Sequence, residues 1–172
     1  MKDLIKGLDV YGELLGIRGH WKGELIREGK VIETYDFYNT IVNEGKNLLL
    51  NIMFGATAKI ATWYMGLIDN AAFTIISNTD TAASHAGWAE YTANSDATRG
   101  TWGAGTASSQ TITNAAAVVF NFTATATING IFISTVNTKG SSTGTLWSAA
   151  SFASTVGVVN GDQLKMTYTL SM

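Results

Sequence analysis

The chain contains no cysteine, which excludes disulfide staples, thiol redox chemistry and thiolate metal sites. It has no basic excess either: 11 Lys/Arg stand against 13 Asp/Glu, so the electrostatic footprint of a nucleic-acid binder is missing. Imidazole is scarce, with only His20 and His85. Long apolar runs are also lacking. The most apolar window, LLLNIMFGATAKIATWYMGLI from Leu48 to Ile68, is interrupted by Asn51, Gly55 and Lys59. It reads as a helix followed by a strand rather than a membrane span. The opening MKDLIKGLDVYGELLG places Asp3 and Asp9 among its leucines and has no apolar core of about 7–15 residues, so it does not read as a signal peptide. The expectation is a soluble protein made in the cytoplasm, binding neither membrane nor nucleic acid.

At 172 residues the chain is one domain long. A domain of that size buries roughly 70% of its unfolded surface and needs no metal or disulfide to hold it. Its charge is unevenly placed. Residues 1–46 carry seven Lys/Arg and eight Asp/Glu, 15 of the 24 charges. From Gly100 onward only Lys139, Asp162 and Lys165 are charged, while 23 of those 73 residues are Ser or Thr. Strands that keep one face polar through hydroxyls fit this composition. Edges so poor in charge are open to association unless partner chains cover them. That points to an assembly.

Period-2 patterns dominate. Ile17–Arg27 and Lys30–Ile41 flank Glu28-Gly29, the signature of a hairpin. Asn43 is placed to cap a short helix, EGKNLLLNIMF, that ends at Gly55, with Leu48, Leu49, Ile52 and Met53 on its apolar face. Further strands are expected at Thr62–Asp69, Phe73–Ser77, Ala117–Thr123, Thr127–Thr135, Leu146–Phe152 and Gln163–Leu170. Asn-Gly pairs at 129–130 and 160–161 and the run KGSSTG at 139–144 mark turns, the first being either a turn or a bulge inside a longer strand. Leu4, Leu8, Tyr11 and Leu15 either line one face of an N-terminal helix or belong to an arm that orders on a partner. The fold class is therefore mainly β, an antiparallel sandwich or jelly roll over residues 41–172 behind a charged arm or hairpin at 1–40.

One stretch, DTAASHAGWAEYT from Asp80, concentrates chemistry-bearing residues. Asp80, His85 and Glu90 lie five apart, which puts them on no common helix face and on opposite faces of a strand. Neither zinc-ligand spacing nor a calcium-loop pattern is present. There is no G-x-S-x-G elbow, and TWGAGTASS lacks the lysine of a phosphate loop. The acids beyond residue 46, Asp69, Asp80, Glu90, Asp96 and Asp162, are not paired in sequence as glycosidase carboxylates would show at their simplest. No enzyme, cofactor or metal site is expected. His85 reads as a loop residue with a hydrogen-bonding role. Trp21, Lys22, Trp88, Tyr91, Trp102 and Trp147 are the candidate interface residues, although large aromatics serve cores as readily as interfaces.

Five runs, YNTIVNEGKNLLLNIMFG, WYMGLID, DTAASHAGWAEYT, TGTLWS and NGDQLKMTYTL, together resemble a group of small virion proteins of tailed bacteriophages, over about residues 38–170. In that group a proline follows the arginine of the run written here ATRGTW, whereas this chain has Gly100 and no proline at all. The resemblance implies a capsid decoration (cement) protein: β-rich, trimeric in the group's usual manner, bound to the major capsid protein on the capsid exterior. It also leaves open a tail, neck or fibre-base adaptor, whereas Trp88 and Trp102, if exposed to stack on sugar rings, would suit a host-glycan-binding module. On the decoration reading, residues 1 to about 40 would make the main contact with the shell.

Overall fold

In the computed structural model, which describes residues 16–172, the expected hairpin forms from β1 (Arg18–Arg27) and β2 (Lys30–Ile41). Glu28 and Gly29 both take positive φ, 51° and 75°, the paired left-handed geometry of the turn whose twist matches that of two joined strands. Alternation along β1 turns Trp21, Gly23 and Leu25 inward and leaves Lys22 and Glu24 outside. The helix α1 (Asn43–Phe54) lies where expected, but its N-cap is Val42 and no side chain caps it. The helical face expected at Leu4, Leu8, Tyr11 and Leu15 lies outside the described residues.

Eight more strands follow: β3 (Trp63–Asp69), β4 (Glu90–Tyr91), β5 (Gly100–Trp102), β6 (Thr111–Thr113), β7 (Val118–Asn121), β8 (Ala126–Ser134), β9 (Leu146–Val158) and β10 (Gln163–Ser171). The protein is mainly β, with two antiparallel sheets and one short helix among the described residues. In the first sheet β2, β1 and β10 lie side by side, and β6 and β7 both pair with the far side of β10. In the second, β9, β8 and β3 lie side by side, and β4 and β5 both pair with β3. The last two residues of β2 pair with Ser148 and Ala149 of β9 and so join the sheets. Asn129-Gly130 is a bulge within β8, where the register shifts between Ile128 and Gly130. The segment expected as a strand at Phe73–Ser77 is irregular. Its amides at Thr74 and Ile75 donate to the single carbonyl of Gly87 instead of to a neighbouring strand.

Both sheets feed one hydrophobic cluster. Trp21, Leu25, Leu164, Met166 and Tyr168 enter it from the first sheet, and Met65, Leu67, Ile131, Ile133 and Phe152 from the second. Tyr168 sits at its centre, 4.5 Å from the Trp21 ring. Trp102 Nε1 donates to its carbonyl, and Trp147 Nε1 donates to its hydroxyl. A second cluster of Val42, Ile68, Trp88, Phe132 and Leu146 lies on the opposite face of the second sheet, where Phe73 and Ile76 help to cover it.

The boundary expected at residue 40 falls inside β2, and the hairpin is integral to the first sheet. Removing the residues before Tyr38 would strip Trp21, Leu25, Tyr35 and Phe37 from the main cluster, so the rest is not a free-standing domain. At the hairpin tip Arg27 clamps the β9–β10 turn: Nε and Nη2 donate to the two oxygens of Asp162 at 2.9 and 2.7 Å. Asp162 is buried and also accepts from the Val159 amide. The Arg27 hydrogen bonds outweigh its burial and hold its carboxyl below the usual aspartate range. A carboxyl lowered by folding stabilises above its unfolded pKa of about 4, and that contribution is lost as pH falls through the lower folded value. Urea titrations at a series of pH values should therefore show Asp162→Asn less stable than the parent at pH 7, with the difference shrinking below about pH 4. A difference independent of pH would contradict this account.

Candidate functional site

After β3 the chain turns back over the outer face of the second sheet, and residues 70–89 form its cover. The stretch from Asp80 supplies the inner part of that cover. Trp88 is buried against Phe132, with ring centroids 5.2 Å apart, and its Nε1 donates to Asp80 Oδ2 at 2.9 Å. The same oxygen accepts the Ser77 amide at 2.9 Å, so Asp80 closes its own turn. His85 stacks on Trp88 at 3.9 Å, and its Nδ1–H donates to the Trp88 carbonyl at 2.9 Å. Glu44, reaching over from α1, accepts the amides of Ala82 and Leu146 and ties this cover to β9.

Strand pairing then separates neighbours. Tyr91 lies opposite Leu67 and enters the main cluster, while Glu90, opposite Ile68, takes the other face. There it meets Arg99, the residue before β5. Both side chains are almost wholly buried, 6% and 4% exposed, and are joined by two parallel hydrogen bonds of 2.9 and 2.8 Å. The guanidinium also lies 4.9 Å above the Phe132 ring. Its remaining donors go to Ser134 Oγ, the Val136 carbonyl and the Ser141 carbonyl. An arginine has five N–H donors, and here each has an acceptor. Glu90 Oε2 further accepts the Gly140 amide. Gly66 is required beneath the pair, because a Cβ there would stand 2.3 Å from Phe132 and 2.9 Å from Glu90 Oε1.

A cavity of about 270 Å³ borders this centre, walled in part by His85, Trp88, Glu90, Arg99, Phe132 and Ser142. Its strongest polar groups are already engaged: the ion pair grips the turn at 137–144, and Lys139 from that turn donates to the carbonyls of Thr92 and Asn94. Burial pulls the Lys139 pKa down against the pull of Asp96 and Glu90. Burial works to raise Asp96, but hydrogen bonds from Asn121 and Asn94 outweigh it and hold that carboxyl low. The arrangement fastens three loops to one sheet edge. Among the described residues no group of three or more His, Asp or Glu is arranged to hold a metal ion. No helix among them is long and apolar enough to cross a membrane.

Of the six interface candidates only Lys22 is on the surface, 64% exposed and 3.6 Å from Asp36. Trp21, Trp88, Tyr91, Trp102 and Trp147 are buried within the chain. Strand alternation turns Trp21, Tyr91, Trp102 and Trp147 inward, and the loop after β3 folds Trp88 onto Phe132, where rings of this size bury most apolar area. They cannot anchor a partner without opening the fold. Two features escaped the sequence reading. The Glu90–Arg99 pair joins a residue of β4 to the residue just before β5, strands too short to show a pattern. The surplus of apolar side chains on α1 was legible: Leu48, Leu49, Leu50, Ile52, Met53 and Phe54 exceed what one face can bury, and Leu50, Met53 and Phe54 are exposed. Compared with known proteins, the chain matches no family model and no curated protein.

Proposed function

We propose that this protein is a structural component of a tailed-phage virion that decorates the capsid exterior, bridges major capsid subunits as a homotrimer and so stabilises the shell, its two sheets forming a sandwich of jelly-roll type. The reading rests on the five sequence runs that resemble small phage virion proteins. One structural observation supports it: in the run DTAASHAGWAEYT, the most chemistry-bearing stretch of that set, Asp80, His85 and Glu90 all hold loops in place. Avidity supplies the mechanism. Several modest contacts per trimer add, because once one is made the others become intramolecular.

The alternative of a glycan-binding module drew on Trp88 and Trp102 as exposed stacking platforms, and both are buried. A tail or neck adaptor is separated from a decoration protein by copy number. Particles stripped of the protein and mixed with excess purified chain should bind it at a stoichiometry comparable to that of the coat protein. Binding confined to the tail vertex, at far lower stoichiometry, would replace the decoration reading with the adaptor.

A further inference from the structure

The first sheet ends on an open edge. Along one side β2 pairs with β1, but along the other only Thr40 and Ile41 pair, with Ala149 and Ser148 of β9. Among the described residues, no strand lies beside residues 31–39 on that side. Their outward amides and carbonyls form a template for a further strand. Proteins usually blunt such edges with brevity, proline or charge. The opposite border of the same sheet is brief, since β6 and β7 have three and four residues. β2 has twelve residues and no proline, and its run VIETYDFYN is rich in β-branched and aromatic side chains.

Val31, Ile32 and Tyr38 on this edge are all exposed. The β1–β2 register steps from Ile26–Val31 to Leu25–Glu33, so Ile32 has no residue directly across from it in its own sheet. Asp36, the charge beside the middle of the edge, is already held by His20 at 2.6 Å and by Lys22 at 3.6 Å.

We propose that this edge binds the same edge of a second copy, β2 against β2 in antiparallel register about a two-fold axis at Tyr35. Antiparallel neighbours exchange their hydrogen bonds, so an edge paired with its own copy satisfies both. Side chains decide the register. An axis at residue 33 or at residue 36 would set Glu33 or Asp36 directly against itself, like charge on like charge. An axis at residue 34 would set the exposed Ile32 against the Asp36 carboxylate. Tyr35 is the midpoint of residues 31–39, so an axis there uses the whole free length. It sets Ile32 against Tyr38 on both sides of the axis, Glu33 against the Phe37 ring, and the Thr34 hydroxyl, a donor, against Asp36.

The inference goes beyond the decoration reading and does not depend on it. A two-fold contact joins copies in pairs, whether the unit is one chain or a trimer built on another surface. A single pair of edge strands buries less than a standard interface, so the association is modest and depends on concentration.

Sedimentation of the purified full-length chain across a concentration series tests this without capsids. The parent should reach an even-numbered oligomer. Ile32→Lys/Tyr38→Lys should halve that mass in a protein that still melts cooperatively, since both side chains are exposed. A parent that stays monomeric or trimeric, or a mass that the double substitution leaves unchanged, overturns the proposal. Because the chain has no cysteine, cross-linking gives a second measurement. In the proposed register residue 32 faces residue 38 of the other copy with Cβ atoms about 5 Å apart, whereas residue 32 and its own copy lie about 20 Å apart along the strands. Under mild oxidation a mixture of Ile32→Cys and Tyr38→Cys chains should form disulfide-linked dimers at least about tenfold faster than either variant alone. Equal rates overturn the proposal, even where the lysine variant fails to fold.

Discussion

Replacing Arg99 with alanine is expected to destabilise the fold by about 3–5 kcal/mol, the usual cost of breaking a buried ion pair from one side. The change leaves the Glu90 carboxylate buried without its counter-charge and orphans the acceptors at Ser134, Val136 and Ser141. It also frees the turn at 137–144, which the pair holds to the sheet. Glu90→Ala should cost a similar amount for the reciprocal reason. The double variant Arg99→Met/Glu90→Met should cost much less than the sum of the two single changes, because it leaves neither charge stranded and retains apolar volume over Phe132. Denaturant titrations of the parent, both singles and the double give the coupling directly. Additive losses would show that the two residues act independently. A ligand site would behave otherwise, with Arg99→Ala weakening ligand binding while the unfolding midpoint stayed put.

How much of this could be read from the sequence depends on how far apart the partners lie. Glu28-Gly29 specified its hairpin locally, and both residues take the positive φ that the turn demands. The helix at 43–54 was legible for the same reason, and Asn129-Gly130, which reads as either a turn or a bulge, is a bulge. The place of that hairpin was not. Trp21 faces Tyr168 across 147 positions of chain (168 − 21), and nothing in WKGEL distinguishes a ring bound for a core from one bound for a surface. Strands β4 and β5, at two and three residues, are shorter than one full alternation pattern, so the residues that bring Glu90 to Arg99 carried no periodic signal. At Phe73–Ser77 the composition favoured a strand, but the amides of Thr74 and Ile75 converge on the one carbonyl of Gly87 and no ladder can propagate.

Trp88 and His85 stack on each other, so a pair of alanine substitutions separates packing from chemistry. Trp88→Ala is expected to cost about 3–5 kcal/mol, the range for removing a buried tryptophan. The lost ring would enlarge a cavity that already holds about 270 Å³, and Asp80 would lose the indole N–H that it accepts. Trp88→Phe should recover much of the packing but not that hydrogen bond, and so fall between the two. His85→Ala removes one hydrogen bond to a carbonyl, worth about 1 kcal/mol, and the exposed side of one ring stack. Its effect should be the smallest of the three and should not change when a chelator is added. A catalytic or metal-binding histidine predicts the reverse order: His85→Ala would abolish function in a protein that melts normally, and a chelator or a shift to pH 5 would mimic it. Thermal melts, together with the binding stoichiometry that the proposed decoration role predicts, measured on each variant with and without chelator, decide between the two orders. The packing of the indole against Phe132 places the larger loss on tryptophan.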